Sequence, residues 1–254
     1  MLADSHLHLD RYTREEASAM LQRAGQAGVT RWLTVGVDLV SSERAISLAQ
    51  HHAGLTASVG WHPAWLASGF GEDEQSQLRA LARSSPKVVA IGEAGIDLLE
   101  AQTSLELQQQ AFLLQLHLAR EMNLPLILHQ QAAERACQEF LQQAGIGSGV
   151  VVHYFVGNRA SARRWLDLGC FLSVGKPVTR PQQAALREAI VAVPLDRLLL
   201  ETDTYPLSGR TTEPADVLQV ASAVAAIKHL LLERVAEQTT ANFYRLFGSK
   251  VCCS

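Results

Sequence analysis

Nine histidines stand in this 254-residue chain, and five of them fall where short apolar runs end. His6 and His8 close the first run, His62 follows the third, His129 ends the fifth and His153 ends the sixth. Glu93 ends the fourth run and Asp203 the eighth. Imidazole nitrogens and carboxylate oxygens are the donors that divalent cations such as zinc or manganese take. His6 and His8 are two residues apart, so on an extended strand both side chains project to one face. Ionisable groups at the ends of buried segments are costly unless a metal or a partner satisfies them. The set His6, His8, Glu93, His129, His153 and Asp203 therefore predicts a centre for one or two divalent cations. Cations that share a carboxylate lower the pKa of water to about 7, so the expected chemistry is hydrolysis at neutral pH. Asp203 is the candidate base that orients the water and takes its proton. His51, His52, His117 and His229 lie in helical patterns and are read as structural.

The elements that must position these groups are legible as an alternation. Strand-like runs are Leu2–Ser5, Val29–Val37, Leu55–Val59, Val88–Ile91, Leu124–Leu128, Gly149–Val152, Cys170–Val174 and Arg197–Leu200. Helical periodicity fills the segments between and after them. Its clearest instance runs from Ser104 to Met122, where Leu107, Ala111, Leu114, Leu118 and Met122 form one stripe. Others span about Arg14–Ala27, Ser42–His52, Asp73–Ser84, Gln131–Ala144, Arg159–Leu168, Gln182–Val193 and Pro214–Ile227. Strict alternation implies parallel strands joined by helices. Eight such units in about 250 residues favour a (β/α)8 TIM barrel, an α/β fold whose strand C-termini meet at one mouth. A dinucleotide-binding sheet needs Gly-x-Gly-x-x-Gly after its first strand, and SHLHLD stands there instead. Gly145, Gly147 and Gly149 follow a helix and are read as a connecting loop. No linker or composition shift divides residues 1–254, which are expected to form one domain.

Composition excludes other classes. The chain is 48% hydrophobic and 19% charged, with a formal net charge of -3, so it is neither disordered nor a polycation that coats nucleic acid or membrane. No apolar stretch reaches the length of a membrane span, and no membrane partner is expected. The N-terminal MLADSHLHLD has no basic or apolar leader pattern. Four cysteines (Cys137, Cys170, Cys252 and Cys253) show no C-x-x-C spacing. A reduced, cytoplasmic protein, monomeric or a small homo-oligomer, is expected.

The chain resembles the TatD family of metal-dependent hydrolases. The motifs are DSHLHLD (Asp4–Asp10), VGWHP (Val59–Pro63), IGEAGID (Ile91–Asp97), LPLILH (Leu124–His129), VVHYFVG (Val151–Gly157), LLLETDTYPL (Leu199–Leu207), TEP (Thr212–Pro214) and TTANFYRLF (Thr239–Phe247). The resemblance implies that His6, His8, Glu93 and Asp203 hold one ion. Glu93 then bridges to a second ion on His129 and His153, giving two divalent ions (zinc, manganese or magnesium). It implies a phosphodiesterase, with 3′ exonuclease action on DNA as in several members. Three positions depart from the family pattern: Gln131 stands where Arg is usual, Val156 for Ser and Thr212 for Asn.

Glu201 and Asp4 are expected to orient metal-bound imidazoles. For the substrate, the loops after strands seven and eight are the usual phosphate site of such barrels. They carry Lys176, Arg180 and Arg210, and His62 and Gln131 join them as candidate contacts. Trp61 and Trp65 offer a stacking face for a base, although aromatic residues in this setting are more often core. The ligand is expected to be a phosphodiester at a nucleic-acid end or a small molecule. The rival activity is hydrolysis of a small amide, lactone or ester, which the neutral Gln131 favours. A non-catalytic metal-binding scaffold is the third reading, disfavoured by the complete donor set.

Overall fold

The computed structural model describes residues 1–68, 70–145, 149–207 and 210–248; at 67, 68, 207, 210 and 211 it describes the backbone only. Eight parallel strands follow one another in chain order: β1 (Leu2–Leu7), β2 (Val29–Val35), β3 (Leu55–Val59), β4 (Val88–Asp97), β5 (Leu126–Gln131), β6 (Val150–Val152), β7 (Phe171–Val174) and β8 (Leu198–Leu200). β8 returns to β1 through a parallel bridge between Leu7 and Thr204, which brings the sheet close to a closed barrel. Asp203 N–H donates to His6 O at 3.0 Å and His8 N–H donates to Thr204 O at 2.8 Å across the same seam. The fold is the expected TIM barrel.

Helices α1 (Arg14–Gln26), α2 (Leu39–His51), α3 (Glu72–Ser84), α4 (Leu105–Met122), α5 (Glu134–Ala144), α6 (Arg159–Asp167), α7 (Ala184–Ala192) and α8 (Val217–Lys228) pack outside the strands. Local chemistry sets their starts. Thr13 and Glu16 form a reciprocal capping box before α1, and the Ser104 hydroxyl accepts from Leu107 N–H before α4. A further helix, α9 (Leu232–Phe247), lies beyond the helical patterns read from the sequence. Its Phe243, Leu246 and Phe247 join Ala3, Leu33, Val35, Val89, Ile127, Val151, Phe171 and Leu199 in a cluster inside the barrel. α9 is thus the plug at the N-terminal end of the strands. Asn242 fixes it there, donating to Leu195 O and Leu198 O, both at 2.8 Å.

The inward row of a strand advances two residues at a time. Ile127 of β5 is therefore followed at the mouth by His129, Val151 of β6 by His153, and Leu199 of β8 by Glu201. Two strands break this rule near the site. β1 shifts register between Asp4 and Leu7, and β4 between Ile91 and Ala94. His6 and Glu93 sit in those two irregularities, the kind of local bulge that re-aims a side chain beside a site. Two expectations are corrected here. Glu93 does not end its strand, since β4 runs on to Asp97. His8 lies beyond β1, at the entry to a 3-10 turn over Leu9–Arg11. Gly95 allows β4 to approach β5, because a Cβ there would overlap the carbonyl oxygen of His129.

Candidate active site

The strand C-termini enclose a cavity of about 640 Å³ whose lining includes His8, His62, Glu93, His129, His153 and Asp203. Glu93 is the hub, with only 2% of its surface exposed. Its Oε2 lies 3.4 Å from His6 Nε2 and 3.7 Å from His8 Nε2. Those two nitrogens are 3.2 Å apart and stand 3.9 and 3.5 Å from Asp203 Oδ1. Donors around one ion at about 2.1 Å are separated by roughly 3.4 Å in a tetrahedral arrangement, so this group has the spacing of a single metal site. Glu93 Oε1 faces a second group, with His129 Nδ1 at 2.7 Å, His153 Nε2 at 3.5 Å and His62 Nε2 at 3.7 Å.

The far nitrogen of each imidazole decides whether the near one can bind a metal. His8 Nδ1 is 3.2 Å from Val35 O, a carbonyl that can only accept, so Nδ1 carries the proton and Nε2 is free. His153 Nδ1 faces Glu201 Oε1 at 3.1 Å, and His129 Nε2 faces Asp97 Oδ2 at 3.1 Å. In each case a carboxylate faces the outer nitrogen, so the inner nitrogen is the one a metal takes once its proton leaves, an arrangement that raises ligand basicity. His62 is the reverse. Its Nδ1 accepts from Ala64 N–H at 3.0 Å, which leaves the proton on Nε2, the atom aimed at Glu93. Burial pushes His62 down to about 3, against the pull of Glu93, so it stands as a neutral donor.

The same carboxylates set the charges. Burial alone would lower His153, but Glu201 and Glu93 outweigh it and push it up to about 10. Burial opposes charge at His129 too, and its bonds to Asp97 and Glu93 raise it on balance. Burial would lift Asp203, yet the His8 hydrogen bond and the charges of His153 and His6 hold it at about 2. Glu93 is likewise drawn well below the usual range by His153, His62, His6 and His129 in spite of its burial. Acids kept ionised among imidazoles whose inner nitrogens face them are a donor set that fits divalent metal.

Asp97 was not singled out from the sequence, although it closes the IGEAGID motif. Two backbone N–H groups, of Leu99 and Glu100, donate to its Oδ1 at 2.8 Å each, leaving Oδ2 for His129. Glu201, wholly buried, faces His153 Nδ1 at 3.1 Å and accepts from Tyr154 N–H at 2.7 Å. Asp4 differs from expectation. Its carboxylate meets Thr202 N–H at 3.0 Å and Thr202 Oγ1 at 2.6 Å, and His6 only through the backbone N–H at 3.3 Å. It therefore braces the turn that carries Asp203 instead of an imidazole. That turn is strained, with Asp203 at φ 51.

The substrate candidates divide. Gln131 and His62 line the cavity, as does Val156. Lys176 does not; its ammonium is paired with Asp216 at 2.6 Å. Arg180 does not line it either, although its charge acts on the Tyr154 phenol. The side chain of Arg210 and both tail cysteines, Cys252 and Cys253, lie outside the described residues, as does Gly147. Trp61 is core, with Nε1 donating to Trp65 O at 2.9 Å, whereas Trp65 lines the cavity.

Residues 3–248 match the model of the TatD related DNase family. The chain belongs to the TatD family of metal-dependent hydrolases. It is 33% identical to the metal-dependent hydrolase YabD of Bacillus subtilis, covering 97% of this chain and 99% of that one. The crystal structure of the TatD homologue YjjV of Escherichia coli superposes with a TM-score of 0.90 at 31% identity, covering 97% and 98% of the two chains. A relative from Klebsiella pneumoniae named as the 3'-5' ssDNA/RNA exonuclease TatD is 33% identical, over 91% of this chain and 92% of its own.

Proposed function

We propose that this TatD-family chain is a phosphodiesterase that removes nucleotides from the 3′ ends of single-stranded nucleic acid, using two divalent ions that share Glu93. The observation that carries the reading is the split of Glu93, with Oε2 turned to His6 and His8 and Oε1 to His129 and His153. Four imidazoles with two carboxylates favour zinc or manganese over magnesium, which prefers an all-oxygen shell. When bound, such ions supply hydroxide at neutral pH and polarise the oxygen under attack.

The chain's own groups do the rest. Asp203 enters as a carboxylate and is placed to orient the water and accept its proton. His62, with its proton on Nε2, donates to a phosphoryl oxygen or a leaving oxygen and does not compete as a ligand. Asp97 and Glu201 keep His129 and His153 in register, and Asp4 holds the turn bearing Asp203 through Thr202. The relative named as an exonuclease supports the substrate class. Among the described residues the two cysteines, Cys137 and Cys170, are free and buried, which supports a reducing cytoplasmic setting. No single described helix is long and apolar enough to cross a membrane. Residues 1–254 are taken as one functional unit.

A second reading, hydrolysis of a small ester, lactone or amide, is favoured by the neutral Gln131 and the apolar Val156 at the mouth. A panel of p-nitrophenyl phosphodiesters, single-stranded oligonucleotides, lactones and amides, with zinc or manganese, separates the two. Turnover of lactones or amides with none of phosphodiesters would reverse the assignment.

A further inference from the structure

A nucleic-acid strand brings the mouth more negative charge than the scissile phosphate alone. Residue 131 is neutral and Lys176 is already paired with Asp216. Among the described residues, Arg11 is the one lysine or arginine that lines the cavity. It follows DSHLHLD directly, at the end of the 3-10 turn that begins after His8. Its guanidinium lies 4.9 Å from the centroid of the Trp65 ring, and its Nε is 3.4 Å from the Asp10 carboxylate. Two neighbours thus hold a long side chain flat at the rim, lowering the entropy lost when it grips a ligand.

Trp65 is itself unusual. It is 48% exposed, whereas Trp32, Trp61 and Trp165 are at most 8% exposed. Leaving an indole open forgoes a large burial gain, and this one opens into the cavity that holds the metal donors. An indole with a guanidinium over one face and the cavity beside it is the combination that single-stranded nucleic acid meets in its binding channels, a stacking platform with a phosphate contact.

We propose that Arg11 and Trp65 form a nucleotide subsite beside the metal centre. Trp65 stacks a base flanking the scissile bond, and Arg11 binds the next phosphate along the strand. The proposal rests on the phosphodiesterase reading above and adds to it a specificity for substrates longer than one phosphodiester. It also gives the mouth a cation that residue 131 does not provide.

The test is binding, measured by fluorescence polarisation of 5′-fluorescein oligothymidylates with the zinc-loaded protein in an Asp203→Asn background, where substrate survives. For a tetranucleotide, Trp65→Ala and Arg11→Gln should each raise Kd about tenfold, equal to 1.4 kcal/mol and within the range of one stacked base. Trp65→Phe should recover most of that loss, since a ring remains. For a dinucleotide, which has one phosphodiester, the Arg11→Gln effect should shrink below twofold. It should also shrink at high salt, as a phosphate contact requires. Tetranucleotide binding unchanged by both substitutions overturns this inference alone and makes the pair a surface packing feature. A parent that binds no oligonucleotide and cuts no phosphodiester overturns the underlying reading as well.

Discussion

The two ends of this barrel use charged side chains in opposite ways. At the N-terminal end they finish the backbone. Lys87 Nζ donates to the carbonyls of His52, Ala53 and Leu55 at 3.0–3.1 Å, Lys228 Nζ to Val193 O at 2.6 Å, and Arg197 to Gly169 O at 3.2 Å. These cations serve backbone carbonyls where helices give way to strands. At the mouth, His6, His8, Glu93, His129, His153 and Asp203 face one another across 2.7–3.9 Å, and the outer atoms of three histidines are held by Val35, Asp97 and Glu201. The difference teaches how to read a charged residue at a strand end. A cation that caps carbonyls has finished its task, while acids and imidazoles braced toward a common point await a cation.

Metal removal is the strongest challenge to that contrast. Exhaustive chelation should abolish turnover, with recovery on adding zinc or manganese; full activity in EDTA, with no metal by elemental analysis, removes the proposed centre. Acid should act in the same direction. His153 is pushed up to about 10 and so carries a proton at pH 7 until a metal displaces it, and His129 is raised above the usual imidazole value in the same sense. Metal loading at pH 7 should therefore release protons, and affinity should rise with pH from 6 to 9. Calorimetry in two buffers of different ionisation enthalpy measures the release, and identical heats would contradict it.

Asp203→Asn comes next in size. It should cost at least about a hundredfold in kcat, the usual scale for a positioned base, with thermal stability nearly kept. Parental turnover in this variant refutes the role given to Asp203. Smaller again is Gln131→Arg, which should raise kcat/KM on phosphodiesters about tenfold, or 1.4 kcal/mol. An unchanged value means that residue 131 does not meet the substrate. The floor gives the complementary result. Lys87→Met removes the side-chain donor from three carbonyls, of which His52 O keeps a backbone donor, and should lower unfolding stability by about 1–3 kcal/mol, while kcat at temperatures below unfolding stays within twofold. A large kinetic defect there would erase the distinction between the two ends.

Much of this was visible before any fold was known, for reasons that can be stated residue by residue. The runs at Val29, Leu55, Val150, Phe171 and Leu198 are β-branched or leucine-rich and bounded by turns, so a period of two and a short length were enough. α9 was legible in principle, since Val235, Thr239, Phe243 and Leu246 recur at helical spacing. It is obscured because polar Thr239, Thr240 and Asn242 share the buried face, and the partners of Thr240 and Asn242, Met1 O, Leu195 O and Leu198 O, are far off in sequence. The metal donors showed as ionisable residues at run ends. Asp97 did not, because its service to His129 depends on β4 running alongside β5 in a register that local pattern does not contain.

Sequence alone therefore determined the alternation of strands and helices, the family resemblance and the ring of candidate donors. Each follows from side-chain type and local spacing. Only the tertiary structure decided which nitrogen of His8 and of His129 faces the centre, because the other is engaged by a carbonyl or carboxylate on another strand. It alone separated Lys176, paired with Asp216 away from the cavity, from Arg11, which lines the cavity over Trp65. A charge's partners are chosen by proximity in space, and the sequence names the charge without naming what will stand beside it.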